Sequence, residues 1–131
     1  MDATLYTGTG ANLSITNAAP FQPDLVWLKS RSAVGNNALY DSVRGATKVL
    51  YSNITDAEAT ATLGLTSFNS NGFSLGTGVV SNTNGTTYVG WQWQAGQGTT
   101  SSNTSGSVTS TVSVNATAGF SVVTYSIAVA V

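Results

Sequence analysis

Hydrophobic and polar residues along this chain alternate as is typical of short β-strands. Runs of β-branched and aromatic residues, such as TLYTG at 4–8 and LSIT at 13–16, are separated by turn-forming clusters of Gly, Asn and Ser. Only residues 53–61 could form a helical turn, because Thr55 and Glu58 match a capping box. The pattern predicts an all-β fold, an antiparallel sandwich or jelly-roll of about ten short strands with at most one helical turn.

Two segments predict the centre of the fold. DLVWLKSR at 24–31 contains a run of consecutive apolar residues, which indicates a strand buried on both faces. TYVGWQWQAG at 87–96 alternates strictly and places Trp91 and Trp93 on one face. We expect that face, and Trp27 of the first segment, to pack in the core, the alternative being a stacking platform for sugar rings.

The chain divides by composition into three parts. Residues 1–96 predict a complete sandwich module, with a hairpin at Asn71-Gly72, a dipeptide that suits a type I′ turn. Residues 97–106 are rich in Gly, Ser, Thr and Asn and predict a flexible linker.

Residues 107–131 predict a C-terminal β-strand arm. The arm pairs inside the sandwich or is exchanged with a partner chain, because an apolar strand exposed alone favours aggregation. We expect assembly contacts from the apolar side chains of its last strand: Phe120, Val123, Tyr125, Ile127 and Val129.

Charge is scarce, which removes several classes of function. Charged residues make up 7% of the chain and the formal net charge is -1, so no electrostatic footprint for nucleic acid is present. The sequence has no apolar run of about 18 residues, so no membrane insertion is expected. Its N-terminus, MDATLYTGTG, lacks the apolar core of a signal peptide.

Catalytic chemistry has few residues to draw on. The chain contains no histidine and no cysteine, which excludes Ser-His-Asp and Cys-His sites and thiolate metal sites. Nothing in the sequence brings two of its carboxylates together: Asp2, Asp24, Asp41, Asp56 and Glu58. We therefore expect no catalytic residue, no metal site, no cofactor and no enzymatic activity.

LYDSVRGATKVLYSN, residues 39–53, concentrates three of the charges: Asp41, Arg44 and Lys48. On a functional interpretation, the two cations hold a carboxylate or a sugar while Asp41 accepts hydroxyl groups. On a structural interpretation, Asp41 and Arg44 form a bidentate clamp that closes a turn between two strands. We favour the clamp, because polar residues at turns usually stabilise the turn.

Other polar aromatic and amide residues predict a surface for a glycan or a partner protein. Tyr6 and Tyr125 belong to this group, and the principal candidates are Tyr40, Tyr51, Tyr88, Gln92 and Gln94.

An ordered series of segments resembles a β-rich module found in structural proteins of tailed phages, many of which infect marine bacteria and cyanobacteria. The resemblance covers roughly residues 3–125, and the segments that carry it are FQPDLVWLKSRS, LYDSVRGATKVLYSN, TDAEAT, LTSFNSNGFSLG, NGTTYVGWQWQAG and GSVTSTVSVNATAGFSVVTY.

The resemblance implies a lectin-like sandwich and a non-enzymatic role on the surface of a virion, in its tail or head. We expect a tail fibre or appendage module that contacts the host surface, and the alternatives are a capsid decoration protein and a free carbohydrate-binding module. The partners implied are a second and third copy of the chain in a trimer, other virion proteins, and a host-surface glycan.

Overall fold

The computed structural model describes residues 1–127. They form twelve strands and one helical turn: β1 (Asp2–Thr7), β2 (Leu13–Thr16), β3 (Leu25–Ser30), β4 (Ala38–Asp41), β5 (Lys48–Tyr51), β6 (Ala59–Thr60), β7 (Leu65–Asn69), β8 (Gly72–Leu75), α1 (Val79–Asn82), β9 (Thr87–Trp93), β10 (Ser101–Asn103), β11 (Ser110–Asn115) and β12 (Phe120–Tyr125).

The strands form three antiparallel sheets. A six-stranded sheet has the order β1-β9-β3-β4-β5-β6, and a three-stranded sheet of order β2-β8-β7 packs against it. Strands β10, β11 and β12 form a third sheet of their own. The prediction of an all-β antiparallel sandwich is confirmed.

The core lies between the six-stranded sheet and the β2-β8-β7 sheet. Its fully buried side chains are Ile15, Val26, Leu28, Ala38, Tyr40, Val49, Leu65, Phe73 and Leu75. Residues directly opposite on neighbouring strands share a face of a sheet. Because Gly90 pairs with Leu28, and Gln92 pairs with Val26, the core face of β9 carries Gly90 and Gln92.

The prediction that Trp91 and Trp93 anchor this core is therefore wrong. Both lie on the opposite, outer face of the six-stranded sheet, where Trp91 pairs with Trp27. The alternation correctly separated the two faces of β9, but it does not say which face meets the second layer. Packing determines which face of β9 lies inside, since a Cβ at Gly90 would approach Phe73 to 3.2 Å and no larger side chain fits there.

The helical turn lies at Val79–Asn82 and not at residues 53–61, so that prediction is also wrong. Residues 53–58 are exposed and have no apolar face to bury, and a capping box alone does not stabilise so short a helix. At α1 the buried amide of Asn82 donates to Ala11 O (2.6 Å) and Gly76 O (2.7 Å). No helix within residues 1–127 has the length and apolar character needed to cross a membrane.

The β7–β8 hairpin forms where the sequence predicted it, but with a different turn. Asn69 pairs with Gly72, so Ser70 and Asn71 are the central residues and Gly72 is the first residue of β8. Gly72 has φ +146, and a Cβ there would collide with the carbonyl oxygen of Ile15 on the neighbouring strand β2. The glycine is required by the close approach of two strands, and not by a type I′ turn.

The C-terminal region is more ordered than a linker and an extended arm. Ser101–Asn103, inside the stretch predicted as flexible, form β10 and pair with β11, which pairs in turn with β12. This C-terminal sheet joins the sandwich through Gly96 N, which donates to Ser113 Oγ (2.9 Å), and through stacking of Phe120 on Trp93 (6.3 Å between ring centroids). Hydroxyl-rich composition is typical of a linker, yet the three residues of β10 within this stretch are paired with β11.

Asp24 connects the strands of the six-stranded sheet to the loop that follows β9. Its carboxylate is fully buried and accepts four hydrogen bonds. The donors are Ser42 Oγ (2.7 Å), Ala95 N (2.6 Å), Gln97 N (2.8 Å) and Gly98 N (2.8 Å). One side chain thus connects the start of β3 with the end of β4 and with the loop that leads from β9 to the C-terminal sheet.

We expect Asp24→Asn to lower the free energy of unfolding by about 3 kcal/mol, measured by denaturant titration. An amide nitrogen in place of either carboxylate oxygen would face a backbone N–H and leave it unsatisfied. Asp56→Asn is the matched control, because Asp56 is exposed, and it should change stability by less than about 0.5 kcal/mol. Equal stability of the two variants would contradict the assignment.

Candidate functional site

The charged residues around the β4–β5 turn bind one another. Asp41 Oδ1 accepts from Val43 N (3.1 Å) and Arg44 N (2.8 Å), and its Oδ2 accepts from Arg44 Nε. Arg44 also donates from Nη1 to Glu58 Oε2 (3.2 Å) and from Nη2 to Leu39 O (3.2 Å). The structure contains the Asp41–Arg44 clamp, but the guanidinium spans three acceptors and does not form a bidentate pair with one carboxylate.

Lys48 is used in the same way. Its Nζ donates to Thr60 Oγ1 (2.8 Å) and so fastens β5 to the short strand β6. Together with Arg44, which reaches Glu58 just before β6, it holds the edge of the six-stranded sheet. The concentration of charge in residues 39–53 is thus accounted for by contacts within the chain.

Four of the five carboxylates, those of Asp2, Asp24, Asp41 and Glu58, make contacts within the chain. Asp41 lies opposite Leu25, next to Asp24, but each carboxylate has its own set of donors. Asp2 accepts from Ala3 N (2.7 Å) and Ala18 N (2.6 Å). Within residues 1–127, no three acidic side chains gather where they could hold a metal ion.

Three of the predicted surface residues lie in the interior, which corrects that part of the prediction. Tyr40 and Tyr88 are each 1% exposed and Gln92 is 0% exposed. Tyr88 stacks on Tyr6 (5.1 Å), and the amide of Gln92 donates to Thr4 Oγ1 (3.0 Å). Polar tips on these side chains suggested exposure, whereas Tyr88 Oη and the Gln92 amide find hydrogen-bond partners inside the sandwich and the Tyr40 ring is part of the core.

The other predicted contact residues are accessible to different degrees. Tyr51 and Gln94 are half-buried, and Tyr125 is 68% exposed. Tyr51 and the buried Tyr40 line one cleft, and none of the other predicted contact residues reaches it. Tyr6 is half-buried, and its hydroxyl donates to Ser81 O (2.8 Å).

Burial changes the acidity of two of these tyrosines. Desolvation raises the pKa of Tyr40 from 10.0 to about 12, although the backbone amide of Leu65 opposes the rise. Desolvation, with repulsion from Tyr88, also raises the pKa of Tyr6 far above its usual value. Both side chains are neutral hydrogen-bonding groups over the whole physiological range.

We expect stability to fall as the pH rises above 10. A raised folded-state pKa means that the contribution of Tyr40 is fully present below its unfolded value of 10.0 and is lost as the pH approaches 12. The loss attributable to Tyr40 should be about 2 kcal/mol at pH 12, measured by denaturant titration at pH 9 and pH 12. Tyr40→Phe should show a smaller loss, and an equal loss in both proteins would contradict the assignment.

The outer face of the six-stranded sheet is the first candidate interaction surface. It consists of residues that face away from the second layer: Ala3, Leu5, Leu25, Trp27, Lys29, Leu39, Asp41, Leu50, Val89, Trp91 and Trp93. The three indoles are half-buried, and Leu5 is 62% exposed. Trp27 and Trp91 are tilted by 59° with centroids 5.6 Å apart, so they do not form a flat platform.

The C-terminal sheet is the second candidate interaction surface. Of the predicted assembly residues, Phe120 packs on Trp93, while Val123 (48%), Tyr125 (68%) and Ile127 (64%) are exposed; Val129 lies outside the described residues. Val114 of β11, 50% exposed, extends this apolar surface.

Strand β12 is an edge without the usual protection. Natural sheets blunt their edges with short strands, bulges or charges. Here β6 has two residues, β10 three and β2 four; β7 contains a bulge, and β1 begins with Asp2. Strand β12 has six residues, continuous register with β11 and no charged side chain. The lack of charge on this edge strand can be read from the sequence, because no charged residue follows Glu58.

The comparisons with known proteins give a family but no function. A family profile described as a domain of unknown function, DUF7483, matches residues 1–130. No curated protein and no solved structure matches the chain.

Proposed function

The chain belongs to the DUF7483 family, and we propose that it is a non-enzymatic structural module of a tailed-phage virion, within a tail fibre or appendage that contacts the host surface. The observation that carries the proposal is the unprotected β12 edge, flanked by the exposed side chains of Val123 and Tyr125. A free edge of this kind is a template for pairing with another chain.

The distribution of charge supports an assembled state. All the charged side chains lie between Asp2 and Glu58, and those near the β4–β5 turn bind one another. The C-terminal sheet therefore meets a neighbour without having to desolvate an ion, which would cost several kcal/mol per ion. A virion subunit is packed against other subunits in the assembled particle, and a surface with little charge favours such association.

The placement in a phage particle rests on the ordered series of segments between residues 3 and 125 that resembles phage structural proteins. The partners proposed are further copies of the chain, with a trimer as the expected number, and other virion proteins.

A carbohydrate-binding module is the second candidate, favoured by one observation. The indoles of Trp27, Trp91 and Trp93 lie on the outer face of the sheet and not in the core. Aromatic side chains on an open sheet face can stack against sugar rings. Their mutual tilt makes this candidate weaker than an assembly surface.

We expect the chain to be present in gradient-purified particles from the phage that encodes it. Mass spectrometry of the particles tests presence, and cryo-EM of the same particles distinguishes tail from head. Absence of the chain from purified particles would refute the virion role. A glycan array tests the second candidate, and binding that Trp91→Ala abolishes would favour it.

We expect the isolated chain to form an oligomer that depends on β12. Light scattering coupled to size exclusion should give a multiple of 13.3 kDa for the wild type. Val123→Lys places like charges at the shared edge and should weaken association by about 2 kcal/mol, roughly thirtyfold in Kd. Val34→Lys is the matched control, because Val34 is fully exposed in a loop far from β12 in the sequence. A wild-type chain that stays monomeric at all concentrations, or equal effects of the two substitutions, would refute the edge contact.

A further inference from the structure

A cleft of about 390 Å³ opens between the tyrosines of β4 and β5 and the two loops that flank β7 and β8. The size lies in the range of small-molecule sites. At its mouth are Leu63 (58% exposed) and Val79 (75% exposed), and at its floor are the buried Tyr40 and Ser81. This cleft is separate from the β12 edge, and ligand binding there would be independent of the assembly role.

Two glycines border the cleft. A Cβ at Gly64 would collide with the hydroxyl of Tyr40, and a Cβ at Gly78 would lie 2.6 Å from Leu63 O. Both loops therefore run so close to their neighbours that only glycine fits at these two positions. The walls are mainly aliphatic and aromatic, with Thr60, Thr62 and Thr77 among the lining residues, and no charged side chain of the described residues lines the cleft.

Ser81 supplies an independent sign of a missing partner. The residue is 0% exposed, it lines the cleft, and its Oγ has no hydrogen-bond partner among the described residues. Buried hydroxyls are nearly always paired, and an unpaired one costs about 1–3 kcal/mol. Tyr40, neutral at physiological pH, adds a second hydroxyl at the same floor.

We infer that this cleft binds a compact, uncharged ligand with an apolar body and one hydroxyl or carbonyl group. The apolar body contacts Leu63, Val79 and Tyr51 at the mouth and walls, and the polar group hydrogen-bonds with Ser81 Oγ and Tyr40 Oη at the floor. The neutral lining disfavours ions, because an ion would lose its hydration without gaining a partner of opposite charge. The few polar groups at the floor disfavour a fully hydroxylated sugar for the same reason.

Cyclohexanol is a suitable probe, titrated into the full-length chain while amide chemical shifts are recorded by NMR. We expect saturable shifts at Gly64, Gly78 and Ser81, with cyclohexylamine, cyclohexanecarboxylate and glucose giving at least tenfold weaker responses. An equal or stronger response to glucose or to either ion would overturn the ligand class. The site would be overturned if these amides showed no saturable shifts on addition of the probe. It would also be overturned if their chemical shifts changed with protein concentration in the absence of the probe.

Two variants separate ligand binding from a structural role. Ser81→Ala should weaken cyclohexanol binding fivefold to tenfold, about one hydrogen bond, without lowering the stability of the free chain. Thr62→Trp, at an exposed position on the rim, should abolish binding by filling the cleft. Ser121→Ala, on exposed β12 backbone, is the control and should bind as the wild type does. Undiminished binding to both cleft variants would overturn the inference.

Discussion

A single buried carboxylate holds the parts of this molecule together. Asp24 has no exposed surface, and it accepts from one hydroxyl and three backbone amides that come from two other regions of the chain. A buried charge is stable only when it is hydrogen-bonded, and the path of the loop after β9 supplies three of the four donors to Asp24. That path brings Gly96 against Ser113 and thereby sets where the C-terminal sheet attaches.

The charged side chains near the β4–β5 turn are likewise hydrogen-bonded within the chain. Arg44 donates to Asp41, Glu58 and the main-chain carbonyl of Leu39, and Lys48 donates to Thr60. These two cations therefore stabilise one edge of the six-stranded sheet. Charge is used here to fix strands in register and to close a turn. The remaining surface consists mostly of hydroxyls, amides and apolar groups, with Arg31 and Asp56 exposed among them. Such neutral groups pair with other protein surfaces at a smaller desolvation cost than ions do.

The sequence predicted the fold class, the β4–β5 turn with its Asp41–Arg44 pair, and the β7–β8 hairpin, because each depends on local pattern. It failed where the answer depends on which layers meet. The alternation in β9 separates Trp91 from Gln92, but only the tight packing of Phe73 against Gly90 shows that the glutamine side is inside. Likewise, no local signal marks Asp24, whose partners lie up to 74 positions away. The cleft at Tyr40 required the same non-local information.

The pairing of β1 with β9 has a consequence for how the protein is made. Asp2 lies opposite Gln92, so β1 leaves the ribosome long before its neighbour and cannot pair until β9 has also emerged. Synthesis at about 5–20 residues per second therefore leaves β1 unpaired for several seconds. The C-terminal sheet, in contrast, is assembled from residues 101–125 alone and can form as soon as it emerges. The order of synthesis thus leaves β1 without any paired strand far longer than β12, which pairs with β11 as soon as both have emerged.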